Sequence, residues 1–177
     1  LKMNEHGEYI TKNLEKKLGF FWRNQNKLNK SSKITYLKAL VIPHFDICSS
    51  ILLMCDKGKI DKFESILKKF VRLIMCDKIT PIHELYKKLN VVSVKNRIRI
   101  NSLKTIDKLM KNNVPSDIKS KFYPNSRWRS LLLRSANLLY VPNYSNMAAR
   151  KSLFMYGIDH YNKFLEYKKK LPASNVN

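Results

Sequence analysis

Cationic side chains at helical spacing are the residues of this chain best suited to chemistry, and that chemistry is the binding of phosphate groups. Lys62, Lys69 and Arg72 share one segment that is apolar on its other side. Lys95, Arg97 and Arg99 alternate over about one and a half turns of a later segment, so they cannot all face one way. Such side chains can equally be solvated, and only their collective charge makes contact with a polyanion the favoured interpretation.

A second candidate site combines an aromatic ring with guanidinium groups. The run Arg127-Trp128-Arg129, followed by Arg134, can stack on a base and hold its phosphates. The alternative is that Trp128 fills a hydrophobic gap while the arginines are solvated. Arg150 and Lys151 are two further residues predicted to bind nucleic acid.

Net charge supports this choice of partner. The chain has 35 Lys and Arg against 13 Asp and Glu, a formal net charge of +22. A charge this large opposes compaction unless a polyanion shares the surface, and nucleic acid is the leading candidate. An A/T-rich coding sequence could raise the lysine content, but it explains poorly why acids are so few.

Sequence patterns typical of catalysis are missing. There is no phosphate-binding GxxxxGK[ST] or GxGxxG loop, no HExxH and no GxSxG. The 4 histidines are far apart and the 13 acids are dispersed, whereas metal-assisted phosphoryl transfer needs clustered carboxylates. We therefore expect no catalytic residues, no metal site and no cofactor, and no enzyme activity from the chain by itself.

Cysteine usage and hydropathy indicate the compartment. Cys48, Cys55 and Cys76 lack the CxxC spacing of zinc sites and indicate a reducing, intracellular location, either nuclear or cytoplasmic. The longest apolar runs, 39–43 and 51–55, are far shorter than the roughly 20 residues of a membrane span. No signal peptide is recognisable, and an initial Leu1 suggests a fragment or a processed segment.

Helices must position these side chains, because Gly and Pro are scarce and apolar residues recur at helical spacing. We predict a mainly α protein, an irregular helical bundle over 1–112, a loop-rich basic linker over 113–146, and a C-terminal helix and tail over 147–177. Ser31 or Ser32 and Thr80 are the expected N-caps. Pro43 should kink or break the second helix. The predicted helices span 4–28, 33–54, 59–76, 80–89, 94–111 and 147–170, with a short strand possible at 138–141.

Three ordered motifs resemble the region that follows the polymerase palm in reverse transcriptases of non-LTR (LINE-type, jockey-like) retrotransposons. Residues 40–49 match "alv-PHxDYCs", 63–74 match "lqkxxlRlI", and 80–97 match "tPixeLyxxLxixxvxxR". The opening residues match "LxWxxHI", with Met3 for Trp and Gly7 for Ile. The C-terminal part resembles "R…LxVPxxxxxxxxrSf…GxxlWN" at Arg134, Leu139, Val141, Pro142, Arg150, Lys151, Ser152, Leu153, Gly157, Tyr161 and Asn162.

The resemblance implies a thumb and following segment that grip template–primer nucleic acid, RNA or an RNA–DNA duplex, through its backbone. The paired aspartates of the family's palm lie upstream of this region, so the polymerase palm of a full-length parent is an expected partner. Ile47 and Tyr161 replace the family's Tyr and Trp, which suggests a divergent copy. The alternative function is a helical structural or protein-interaction domain, an exapted or decaying element fragment without nucleic-acid binding.

Overall fold

The structure is a computed structural model that describes residues 3–47, 49–111, 138–141 and 153–170. These residues are mainly helical, which confirms the predicted fold class. Contacts group the chain into two compact units, Leu1–Ile98 and Arg99–Asn177. The predicted 113–146 linker lies mostly outside the described residues, and the predicted domain boundaries stay a prediction. The helices are α1 (Met3–Asn24), α2 (Lys30–Tyr36), α3 (Ile42–Ile47), α4 (Ser49–Leu52), α5 (Lys57–Met75), α6 (Ile82–Leu89), α7 (Val94–Lys111) and α8 (Leu153–Lys170).

The first unit is built around α1 and α5, which lie side by side and run in the same direction. Glu8 contacts Lys59 near the start of both helices, and the rings of Phe21 and Phe70 meet 5.4 Å apart near their ends. Close approach begins at Gly7, where an added Cβ would lie 3.3 Å from the Cys55 sulfur. Gly7 therefore suits a tight helix contact, although glycine weakens an isolated helix.

An aromatic cluster fills the core at the far end of this helix pair. The Phe21 ring lies 5.2 Å from Tyr36 and 5.4 Å from Phe70, and both phenylalanines are fully buried. Phe45 and Phe63 form a second ring contact at 6.0 Å. Offset aromatic contacts at these distances stabilise the core beyond the area they bury.

Pro43 changes the hydrogen-bond pattern of its helix without ending it. A π-helical turn, Leu37–Val41, joins α2 directly to α3, and the Ile42 amide donates to the Leu37 carbonyl. Proline has no amide hydrogen to donate to the preceding turn. The Lys17 ammonium donates to the nearby Leu40 carbonyl at 2.7 Å. The helix therefore does not break at Pro43, because a π-helical turn accommodates the residue that lacks a donor, and the kink that was the alternative stays a prediction.

Helix starts differ from the predicted N-caps by a few residues. The Asn29 side chain caps α2 by accepting a hydrogen bond from the Ser32 amide at 2.8 Å, in place of the predicted serines. Pro81, rather than Thr80, directly precedes α6. The Thr80 hydroxyl instead donates to the Asp77 carboxylate at 2.6 Å, since the loop before α6 turns back on itself.

The second unit has a small core of its own. Ile106, Leu139 and Ile158 are buried together, with Leu109 and Tyr161 against them. The Leu139 amide donates to the Asn162 side-chain oxygen and its carbonyl accepts from the Asn162 amide group, both at 2.8 Å. One side chain thus pairs both polar groups of this backbone, and the described residues of the predicted strand at 138–141 belong to no strand.

Candidate nucleic-acid interface

Several predicted cations of the first unit are paired with acids where α5 meets the start of α7. Lys95 lies 2.7 Å from Asp61, and Arg97 donates to the carboxylate of Asp46 on α3. The Lys95 contact lowers the pKa of the Asp61 carboxyl from its ordinary value. Glu64 completes this group, which we call the locked cluster: Asp46, Asp61, Glu64, Lys95 and Arg97.

Arg97 is the most enclosed of the predicted site residues. Its Nη1 atom donates to both Asp46 oxygens, at 3.0 and 2.9 Å, and its side chain is 19% exposed. Its Nε atom is buried and has no hydrogen-bond partner among the described residues. A guanidinium held this way connects α7 to α3, and it has little surface left for a phosphate.

Glu64 is bound within the first unit and is not simply a solvated charge on the surface of α5. One carboxylate oxygen accepts from the Tyr86 hydroxyl at 2.8 Å, and the other accepts from the Val94 amide at 2.7 Å. Val94 is the first residue of α7, where amide hydrogens lack partners within the helix. Glu64 therefore caps α7 and joins it to α5 and α6.

Lys62 belongs to a row of ion pairs along the contact of α1 with α5. It lies 3.1 Å from Glu15, and Lys59 lies 2.6 Å from Glu8. The hydrogen bond and charge of Lys59 lower the pKa of the Glu8 carboxyl. Both pairs are open to solvent, where such pairs contribute little to stability.

Arg72 holds the loop that follows α5. Its Nη1 donates to the Asp77 carbonyl at 3.2 Å and lies 3.5 Å from the Thr80 carbonyl. The Asp77 carboxylate in turn accepts from the backbone amides of Ile79 and Thr80, both at 2.9 Å. The hydrogen bonds from Thr80 lower the pKa of the Asp77 carboxyl. This loop therefore has a defined shape, and it presents Lys78 to solvent.

Lys69 and Lys78 border a different kind of surface. A shallow groove of about 600 Å³ lies between the last turns of α1 and α5, and Trp22 is 61% exposed in it. Lys69 and Lys78 are exposed and form no ion pair with another described residue. We call this the open groove; its lining residues are Glu15, Leu18, Gly19, Trp22, Lys69, Arg72, Leu73 and Lys78.

The open groove continues into a second depression of about 920 Å³ beside the loop after α5. Arg72, Leu73 and Lys78 line both. Ile79, at the tip of this loop, is 96% exposed. Apolar side chains and unpaired lysines therefore adjoin along one surface of the first unit.

Arg99 belongs to the second unit and is exposed. Its charge lowers the pKa of His160 from its ordinary value, after the larger effect of burial in the same direction. The remaining predicted site residues lie outside the described part of the chain. They are Arg127, Trp128, Arg129, Arg134, Arg150 and Lys151.

Sequence reasoning placed no functional role on Trp22 or Lys78. The signal for Trp22 was present, because it follows the buried Phe21 and is therefore about 100° around the helix from the apolar stripe. Leu18, one turn earlier, is half-buried. No sequence pattern indicated a role for Lys78, because its orientation depends on the turn that the Asp77 side chain stabilises.

Two other kinds of feature are absent from the described residues. His, Cys, Asp and Glu side chains form no group there that could hold a metal ion. None of the described helices is long and apolar enough to cross a membrane. Comparisons with protein-family models, with curated proteins and with solved structures each return no match.

Proposed function

We propose that this chain is a non-catalytic part of a non-LTR retrotransposon reverse transcriptase, an RNA-directed DNA polymerase. In this proposal it is a thumb-like module that grips template–primer nucleic acid by its backbone, beside a palm contributed by the upstream part of a full-length parent. The proposal assigns no catalytic step to the chain itself. The observation that carries it is a helical scaffold on which exposed cations greatly outnumber the acids available to neutralise them.

The acids of the first unit are largely engaged within it. Glu8, Glu15, Asp46 and Asp61 each pair with a cation, while Glu64 and Asp77 accept hydrogen bonds that hold α7 and the loop after α5. Many exposed cations are left without an ion pair among the described residues. They are Lys12, Lys16, Arg23, Lys27, Lys30, Lys38, Lys57, Lys68, Lys69, Lys78, Lys87 and Lys88.

Repulsion among these cations is relieved when phosphates lie against them, and condensed counterions are released into solution. A nucleic-acid backbone supplies phosphates at regular spacing, so a dispersed set of lysines can engage it without reading its sequence. This type of binding fits a module that must hold any template.

The long-range contacts of the fold also support the resemblance. Asp46 belongs to the "PHxDYC"-like segment and Arg97 ends the "vxxR"-like segment, and the two side chains pair with each other. In the second unit, Leu139 of the "LxVP"-like segment is bonded by Asn162 of the "WN"-like segment. Residues that stand in the family's motifs therefore act here as contacts that hold distant parts of the chain together.

The test is a binding titration with a labelled RNA–DNA template–primer duplex, followed by fluorescence anisotropy over a range of salt concentrations. We expect the logarithm of the affinity to fall linearly with the logarithm of salt, with a slope of about −3 or steeper. A slope near zero would contradict backbone binding. Primer extension by the same preparation should stay at background, because the proposal leaves the catalytic carboxylates in the palm.

A further inference from the structure

Trp22 is an exposed aromatic side chain that the fold does not use. The buried residues of α1, Ile10, Leu14 and Phe21, lie about 100° around the helix from it, so α1 packs through a face that does not include Trp22. Large aromatic rings exposed beside other apolar groups commonly mark binding surfaces. Trp22 differs in this from Phe20, which is also exposed but stacks on Tyr36 at 6.3 Å.

We propose that the open groove binds an unpaired base of a single nucleic-acid strand, which stacks on Trp22 while Lys69 and Lys78 hold the flanking phosphates. This inference rests on the proposed function and adds a ligand to it, a single-stranded segment such as the template beyond the primed duplex. Stacking on an aromatic face requires a base whose own face is free. Inside a duplex both faces of each base are covered by its neighbours.

The apolar part of the groove suits a base. Leu18 and Leu73 line it beside Trp22, and its volume of about 600 Å³ lies in the range of small-molecule sites. Its wide mouth matches a ligand that belongs to a longer chain and must enter and leave from the side. The adjoining depression beside Ile79 gives a neighbouring nucleotide an apolar surface as well.

Charge complementarity selects a polyanion over a neutral partner. Lys69, on α5, and Lys78, on the loop after it, approach the groove from different elements. Glu15 is the acid that lines the groove, and it is paired with Lys62 at 3.1 Å. Arg72 is held back by the loop carbonyls, so it fixes the position of Lys78 and leaves the lysines to contact phosphate.

The experiment compares a short oligo(dT), a blunt duplex and heparin, a polyanion without bases. All variants carry Trp128→Phe, so that Trp22 is the fluorophore in every titration that retains it. Oligo(dT) should quench Trp22 fluorescence. Trp22→Ala should weaken oligo(dT) binding by about tenfold, as measured by anisotropy, and change binding of the duplex and of heparin less than about twofold.

Tyr9→Ala is the matched control, because Tyr9 is an aromatic residue on α1 with similar exposure, 63%, and does not line the groove. It should leave oligo(dT) affinity unchanged. Since Trp22 and Tyr9 are both exposed, circular dichroism should show the same helix content in both variants.

The inference is overturned if Trp22→Ala binds oligo(dT) as tightly as its parent. It is also overturned if heparin quenches Trp22 fluorescence as strongly as oligo(dT) does. If either result is obtained while duplex binding still depends on salt, this inference is wrong and the proposed function stands. Salt-independent duplex binding instead removes the proposed function on which the inference rests.

Discussion

The locked cluster and the open groove lie on the same unit and contain the same kinds of cationic side chain, but these side chains have different roles in the two places. In the locked cluster, Lys95 and Arg97 face carboxylates within 3 Å, and Glu64 ties two helices to α5. In the open groove, Lys69 and Lys78 stand beside an exposed tryptophan without an acid partner among the described residues. Positive charge along the sequence therefore has two roles, stabilising the fold and remaining available to a ligand.

The difference shows that the pairing of a cation with an acid, rather than its spacing in the sequence, decides whether the cation can contact a ligand. Arg97 and Arg99 are two residues apart on α7, yet Arg97 is enclosed against Asp46 and Arg99 is exposed. Lys62 and Lys69 share α5, yet Lys62 is paired with Glu15 and Lys69 has no such partner. Substitution of the enclosed Arg97 should therefore lower stability, whereas substitution of the exposed Lys69 should weaken binding. The following variants test this difference.

The largest expected effect is the loss of stability in Arg97→Met. The variant leaves the half-exposed Asp46 carboxylate without its guanidinium, which should lower the free energy of unfolding by about 2 kcal/mol. Arg99→Met on the same helix is the control and should change it by less than about 0.5 kcal/mol. Urea denaturation measures both, and equal losses would show that Arg97 is no more structural than Arg99.

Glu64→Met should have the next largest effect. Methionine keeps the approximate size of the side chain but has no carboxylate oxygen, so both the Tyr86 hydroxyl and the Val94 amide lose their acceptor. We expect a loss of about 1.5 kcal/mol in the free energy of unfolding. Ser65→Ala, at the neighbouring exposed position, should be close to neutral, and a neutral Glu64→Met would mean that Glu64 does not cap α7.

A smaller effect should follow pH through His44. Burial, and then the charge of Lys17 2.6 Å from its Nε2, hold the pKa of His44 below its ordinary value. Below a pH of about 6.5 the unfolded chain therefore binds more protons at this position than the folded chain, so stability falls as pH falls through this window. His44→Gln should make the pH dependence shallower.

The exposed His83→Gln is the control for the loss of an imidazole, because its side chain is 69% exposed. It should change the free energy of unfolding at a pH of about 7 by less than about 0.5 kcal/mol. Thermal denaturation between pH values of about 7 and 5 gives the slope for His44→Gln. A slope that His44→Gln does not alter would show that His44 is free to take up its proton in the folded chain.

The smallest effects on stability are expected from the surface ion pairs. Lys62→Ala and Lys95→Ala each remove one solvent-exposed pair, with Glu15 and Asp61 respectively. Such pairs contribute about 0.5 kcal/mol or less. Thermal denaturation measures the loss in each variant. A loss of more than about 1 kcal/mol in the free energy of unfolding, which is twice the expected contribution, would show that these pairs stabilise the fold as Arg97 does.

Much of the helical architecture could be predicted from the sequence because it depends on local periodicity. The predicted helix at 94–111 has the bounds of α7. The apolar residues at helical spacing in the predicted helix at 59–76 are Ile60, Phe63, Leu67, Phe70, Val71 and Ile74, and all of them are buried in α5 except Ile60, which is half-buried. The helix ends were less predictable. Asn29, rather than a serine, caps α2, since the choice of cap depends on how the chain enters the helix.

The arrangement of charges could not be predicted, because it depends on which helices meet. The pairing of Asp46 with Arg97 joins residues far apart in sequence, and neither residue alone indicates it. The turn that presents Lys78 depends on the Asp77 carboxylate and on Arg72 behind it. Periodicity places a side chain on a helix face, but only the tertiary contacts decide whether that face is neutralised.

The central claim is that the open groove, rather than the paired cations, binds single-stranded nucleic acid. It is tested most directly by comparing the salt dependence of oligo(dT) binding in two double variants, Lys69→Ala with Lys78→Ala and Lys62→Ala with Lys95→Ala. The account predicts that the first variant loses about 1 to 2 units of the log–log salt slope while the second keeps the slope of the wild type. Equal slopes in the two variants, or a loss confined to the second, would contradict it.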